Sequence, residues 1–206
     1  MVSRRTFLLA ALASTAARGV ASARAASEAT PLRIPISFAV ATQDDQPVRD
    51  AAWIDLQLAE MQRLYGPLGV HPESVSIRSI APRYAHMETR ADRDSLLSEA
   101  RPDHAAHVFV VGTLRDVDDP TRLRRGVHWR HRANASARYV ILASEAPVSV
   151  LAHEMGHYFG LGHSAVTDNL MSYDRTGAPV FLDANQSRVI QAAAREVFRS
   201  GELVGL

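Results

Sequence analysis

The chain has 206 residues, a formal charge of +1 at pH 7, 47% apolar residues and no cysteine. Charge this evenly balanced argues against nucleic acid or an anionic membrane as a partner, and the lack of cysteine excludes disulfides and thiolate metal ligands. The apolar fraction is ordinary for a globular protein, and no internal repeat is evident.

The first element in chain order is Ser3-Arg4-Arg5-Thr6-Phe7-Leu8, which fits a twin-arginine export signal. Phe7 to Ala17 is an apolar run suited to a signal-peptide core and too short to span a bilayer. Ala21-Ser22-Ala23 and Ala23-Arg24-Ala25 offer small-residue cleavage sites, and Arg18 after the apolar run disfavours the general secretory route. An ordinary secretory signal with two arginines is the alternative. Either reading predicts export to the periplasm or the cell exterior, and the first implies the twin-arginine translocase as a partner. Residues 1–25 are therefore expected to be the signal, and residues 26–206 suffice for one domain with its own core.

Leu32 to Ala41 alternates enough for a first strand. Val48 to Tyr65 reads as an amphipathic helix with Ala52, Leu56, Ala59, Met61, Leu64 and Tyr65 inward, stopped by Gly66-Pro67. Val75 to Ile80 is a second strand, and Arg90 to Arg101 a short helix. His104 and His107 form a weak H-x-x-H, read as loop and strand-start residues rather than ligands. His107 to Gly112 is a continuous apolar run, the mark of a central buried strand. Asp116, Asp118 and Asp119 lack the spacing of a calcium loop and read as a turn. Arg122 to Arg125, with Arg130, His131 and Arg132, reads as a solvated basic loop; the functional alternative is a rim favouring acidic or C-terminal substrate groups. Gly126 to Arg130 and Tyr139 to Ala143 are two more strands. Interleaved helices and strands predict an α+β or α/β sandwich with a mixed sheet.

Pro147 starts a helical run to Phe159 that carries the strongest signal, His153-Glu154-Met155-Gly156-His157-Tyr158-Phe159-Gly160-Leu161-Gly162-His163. Its pattern is H-E-x-x-H-x-x-G-x-x-H. On a helix, His153 and His157 share one face, with a rise of about 6 Å between them, so both can reach one zinc at about 2.0–2.1 Å. Glu154 lies about 100° round the helix, too far for that face but within reach of water at the metal. Gly160 adopts left-handed angles without steric cost, so it can reverse the chain and return His163 to the same ion. Three protein ligands leave a fourth position open, as in catalytic rather than structural zinc sites. Chance produces all five fixed positions on the order of a few times in 10⁵ chains of this composition. A closing amphipathic helix follows over Asp183 to Arg199, with Asp183 as N-cap and Val189, Ile190, Ala193 and Val197 inward.

Asn169-Leu170-Met171-Ser172-Tyr173 follows the third histidine. An elongated zinc motif followed by a methionine resembles the metzincin superfamily of zinc endopeptidases, over the stretch His153 to Asp174. Ser164 looks like the matrixins, whereas Asp168 to Tyr173 looks more like the pappalysin branch. The resemblance implies a metzincin-like zincin fold, with a mixed twisted sheet and a long active-site helix. An upper subdomain would run to about His163, followed by a small C-terminal subdomain. It implies one catalytic Zn2+ held by His153, His157 and His163, with Glu154 as general base and Met171 as the Met-turn residue. Tyr173 matches a tyrosine that in some metzincins ligates the metal or stabilises the oxyanion; simple packing is its alternative, as it is for Met171. The strand around Gly126 to Trp129 would edge the cleft, where a substrate peptide could add as a further strand. The implied function is a monomeric, exported zinc endopeptidase acting on protein or peptide. A zinc hydrolase of cell-wall peptides and a non-catalytic zinc-binding module are the alternatives, and an intact Glu154 argues against the last. Without cysteine, no thiolate can cap the zinc as in a matrixin pro-segment.

Overall fold

The computed structural model describes residues 31–134 and 136–205, so the twin-arginine motif and the cleavage sites lie outside the described residues. Strand β1 (Leu32–Gln43) is buried along most of its length. Ile34, Ile36, Phe38 and Val40 enter one core, while Ala39 and Ala41 enter the other. A strand covered on both faces belongs inside a sheet. Accordingly β1 pairs in parallel with β3 (Val70–Ile80) on one side and β5 (Ala106–Val111) on the other. β5 then pairs in parallel with β8 (Arg138–Ala143), and β8 pairs antiparallel with β7 (Gly126–Arg130). The strand order is β3-β1-β5-β8-β7, which leaves β7 at an edge. β2 (Gln46–Pro47) folds back on the end of β1, and β4 (His86–Met87) with β6 (Thr113–Leu114) makes a separate parallel pair. This is the mixed α+β sheet architecture expected from the sequence.

Helices α1 (Ala51–Tyr65), α3 (Val150–Tyr158) and α4 (Ala184–Arg199) pack on the Ile34–Ile36 face, contributing Ile54, Leu151, Met155 and Ile190 to its core. The opposite face is covered around α2 (Arg90–Ser95) and the 3₁₀ turn Leu96–Glu99. There Leu96, Phe109, Trp129 and Tyr139 meet.

The inward face predicted for the first helix is corrected in part. The helix starts at Ala51, later than the expected Val48, because the Asp50 side chain caps it by accepting from the Trp53 N–H at 2.9 Å. Met61, Leu64 and Tyr65 are buried as expected, but Ala52, Leu56 and Ala59 face outward, Leu56 being 58% exposed. The true stripe runs through Ile54 and Gln57. Gln57 is buried because its amide finishes another helix: Nε2 donates to the carbonyls of Ala146 (3.2 Å) and Pro147 (3.0 Å), and Oε1 accepts from the Leu151 N–H (3.1 Å). A polar residue in the apolar stripe conceals the phase of the pattern. The same cap explains why α3 begins at Val150 rather than at Pro147. In α4, Asp183 is the N-cap as expected, reciprocated by Gln186. Ile190 and Val197 are fully inward, but Ala194 replaces Ala193 at the core, and Val189 and Ala193 are only partly buried.

Candidate metal centre and active site

α3 ends where Gly160, at φ +92°, turns the chain. The Gly160 N–H bonds the His157 carbonyl (3.0 Å), and the Leu161 N–H bonds the Gly156 carbonyl (2.9 Å). These two bonds define a Schellman C-cap, whose left-handed residue is favoured as glycine. The reversal brings His163 beside the helix, with its ring centroid 4.7 Å from that of His157; the His153 and His157 centroids are 4.8 Å apart. The putting-together of these three imidazoles follows directly from the turn. One ligand atom from each of His153, His157 and His163 lies within 4.8 Å of the others.

The tautomers are fixed from behind. His153 Nδ1 donates to the Leu170 carbonyl at 2.7 Å, and His157 Nδ1 donates to the Leu161 carbonyl at 2.8 Å. Both rings therefore present Nε2 as a lone pair, the arrangement a metal needs. Burial, reinforced by the neighbouring imidazoles and Arg175, pushes His153 down to about 4, which keeps it neutral. His157 Nε2 and His163 Nε2 are 3.1 Å apart. Two nitrogens on one tetrahedral zinc stand about 3.3–3.4 Å apart, so the donors and their spacing fit that ion.

Beneath the histidines, Met171 is fully buried, and its Sδ stands where a Cβ on Gly156 would be only 2.6 Å away. Gly156 thus lets the helix and the methionine turn approach closely. The turn is held by a reciprocal amide pair. Asn169 Nδ2 donates to Gln186 Oε1 (2.8 Å), and Gln186 Nε2 donates to Asn169 Oδ1 (2.9 Å). Asn169 Oδ1 also accepts from the Met171 N–H at 2.9 Å. Arg175 adds bonds to the carbonyls of Asn169 (2.8 Å) and Leu170 (3.0 Å). The Leu170 carbonyl therefore serves both Arg175 and His153.

Glu154 lies on the other side of the histidines and is 6% exposed. Burial pushes its carboxyl up to about 7, against the opposing pull of the His128 backbone N–H and of Arg124. Its seat exists because Gly126 on β7 has no side chain: a Cβ there would meet Glu154 Cγ and Oε1 at 3.0 Å and Val150 Cγ1 at 2.5 Å. Tyr173 is 67% exposed, and its hydroxyl stands 2.8 Å from His163 Nε2. The structure thus brings all six residues singled out in the sequence to one place. It adds Gly126, Gln57 and Gln186, which act on residues distant in the chain, and Asn169 and Arg175, which brace the methionine turn locally.

β7 borders two cavities at this centre. One of about 430 Å³ runs past Arg90, Arg93, Asp116 and Trp129 to His157. The other, of about 660 Å³, lies between Gly126, Val150 and the segment from Arg175 to Val180. The aspartate cluster is a turn, as expected: Asp116 Oδ1 accepts from the Asp118 N–H at 3.0 Å, and Oδ2 takes Arg124 at 2.6 Å. His104 and His107 bond the carbonyls of Gly201 and Arg101, which leaves them outside the metal centre. The basic run divides: Arg124 and Arg125 are paired with Asp116 and Glu145, while Arg122 opens onto the larger cavity.

Comparison with known proteins agrees with this geometry. The model of the matrixin family, a peptidase family, matches residues 86–192. Among solved structures, metalloproteinase-II from Bacteroides fragilis superposes with a TM-score of 0.57 at 16% identity, covering 81% of this chain and 55% of that one. The chain thus spans about half the length of that protein. Mirolysin, in complex with a small compound, gives a TM-score of 0.61 at 11% identity, covering 86% of this chain and 99% of its own. A chain from a chaperone–substrate complex gives 0.54 at 12% identity, over 82% of this chain and 38% of that one. At these identities the likeness is one of fold. None of the curated proteins matches the sequence.

Proposed function

The chain belongs to the matrixin family, and from that premise we propose that it is an exported zinc endopeptidase in which Glu154 is the general base. The observation that carries this reading is the seat of Glu154: a buried carboxyl beside three convergent imidazoles, at the wall of an open cleft. His153, His157 and His163 would hold the ion through Nε2. Zinc, when bound, supplies the Lewis acidity that activates water and polarises a carbonyl.

The chain's own groups do the rest. Glu154 accepts a proton from the attacking water and passes it to the leaving amine. Its burial favours a shared proton, and the His128 backbone N–H and Arg124 pull the other way, towards the carboxylate. Tyr173 can donate its hydroxyl to the developing oxyanion, because it reaches the His163 ring from the solvent side. Among the described residues β7 pairs only with β8, so its outer edge can take an extended peptide as an added strand. Support for export is Arg4-Arg5 and the apolar run after it.

The test is hydrolysis of a peptide library by the purified protein, with and without a chelator. Chelator-sensitive cleavage at internal bonds is expected. Glu154→Gln should retain zinc by elemental analysis and lose nearly all turnover; full residual activity would falsify the role of Glu154. For export, Arg4→Lys with Arg5→Lys should leave the protein in the cytoplasm, and undiminished export would remove the twin-arginine reading.

A further inference from the structure

The larger cavity beside Glu154 has an uneven lining. Its walls are apolar where Val148, Val150 and Val180 meet, and Leu123 and Val148 are exposed at 51% and 46%. Exposed aliphatic groups next to a reaction centre provide burial for a substrate side chain. The charged groups are mainly arginines. Arg124 and Arg125 are neutralised by Asp116 and Glu145, and Glu60 by Arg63. Among the described residues no carboxylate pairs with Arg122 or Arg175, and both line the cavity. Arg175 is held by the carbonyls of Asn169, Leu170 and Asp174, so its guanidinium is pre-positioned, and the nearest compensating charge, Asp168, acts on it from beyond ion-pair distance. A guanidinium with free N–H groups is the matching donor for a carboxylate, and the arginines outnumber the carboxylates Glu60 and Glu154 in this lining, which favours an anionic ligand.

The geometry points to a substrate pocket that selects a carboxylate on a short apolar stem next to the scissile bond, with Arg122 and Arg175 as the specificity-determining residues. This rests on the peptidase reading above and names the substrate class for it. The carboxylate can come from an internal glutamate or aspartate side chain or from the end of a peptide. Arg122 and Arg175 approach from different segments, the loop before β7 and the loop after the methionine turn, so their effects are separable.

The test uses quenched fluorescent peptides that differ only in Glu, Gln or Leu beside the cleaved bond, each with a free and an amidated C-terminus. The wild-type protein is expected to favour Glu over Gln by at least about tenfold in kcat/KM, with the difference in KM. Arg122→Glu and Arg175→Gln should each bring that ratio towards one. Arg122→Glu alters a side chain with no bond to a described residue, so a folding defect would not imitate the result. Binding of the same peptides to zinc-loaded Glu154→Gln protein, followed by anisotropy, should rank them in the same order. A preference for Glu over Gln among the amidated peptides assigns the carboxylate to the side chain; a preference for free over amidated ends, alike for Glu and Gln and reduced by the arginine variants, assigns it to the chain end; both support the pocket. Equal handling of Glu and Gln together with equal handling of free and amidated ends, or a preference that neither arginine variant moves, overturns the selectivity and leaves the peptidase reading standing. Neither turnover nor binding of any peptide overturns the peptidase reading, and the selectivity with it.

Discussion

Gly126 is a strand residue whose missing side chain makes room for Glu154. A methyl group there would stand 3.0 Å from the carboxylate and 2.5 Å from Val150 Cγ1, so Gly126→Ala must move Glu154, the proposed base, or the helix that carries it. Turnover should fall roughly 10- to 100-fold, because small misplacements of a catalytic group are costly. Zinc content should stay at wild-type level, since His153, His157 and His163 keep their own supports; loss of zinc instead would mean that the strain had spread through α3. The sequence made the histidines, Glu154 and Met171 legible because helical spacing and one glycine turn fix their relative positions locally. For Gly126 the sequence predicts a strand start at the edge of the cleft but no contact with Glu154. Its partner lies 28 positions away in the chain, and no short-range pattern records that contact.

The elements around the centre are tied by polar groups that the apolar pattern conceals. Gln57 caps α3 from α1, and Gln186 fastens the methionine turn to the start of α4. Gln186→Leu should cost about 1–3 kcal/mol, because it leaves the buried Asn169 amide without its partner; denaturant unfolding measures this, and an unchanged midpoint would contradict it. A third tie holds the C-terminal segment. Glu202 accepts from Arg138 Nε and Nη2 at 2.8 Å and from the Tyr158 hydroxyl at 2.6 Å. Burial alone would raise the Glu202 pKa, but the hydrogen bonds from Arg138 and Tyr158 outweigh it and hold the group below its usual value. Its contribution is therefore present above the unfolded carboxylate pKa and lost as pH falls through the lower folded one. Thermal melts from pH 6 down to pH 3 should show a smaller drop for Glu202→Gln than for wild type. The size should be about 1 kcal/mol, kept small by partial exposure. Equal slopes would exclude Glu202 as a contributor. Strand β7 runs over the expected residues, β3 begins at Val70 rather than the expected Val75, and the inward stripe of α1 is displaced by its buried glutamine.

For the molecule as a whole, composition and element order were enough to indicate one mixed α+β layer arrangement, and parallel neighbours such as β1 and β5 could not be assigned from their patterns. Both are continuous apolar runs, and such runs carry no information about which of them lie side by side. Metal binding should couple to global stability, since the three ligands join α3 to the loop after it. Zinc at about a thousand times its dissociation constant should raise Tm by roughly 10 °C over the chelated protein; coincident melts would mean that the centre does not bind the ion in the folded state. The strand order has a further consequence, for the time the chain needs to find its structure. β1 pairs with β5 at Ile36 and Ala106, 70 residues apart, whereas the three ligands lie within 11 consecutive residues. Closing the long connection is the slow part, in the range of milliseconds to seconds for such topologies. Zinc contributes nothing to that closure, so stopped-flow refolding should proceed at the same rate with and without it, while unfolding should slow when it is present.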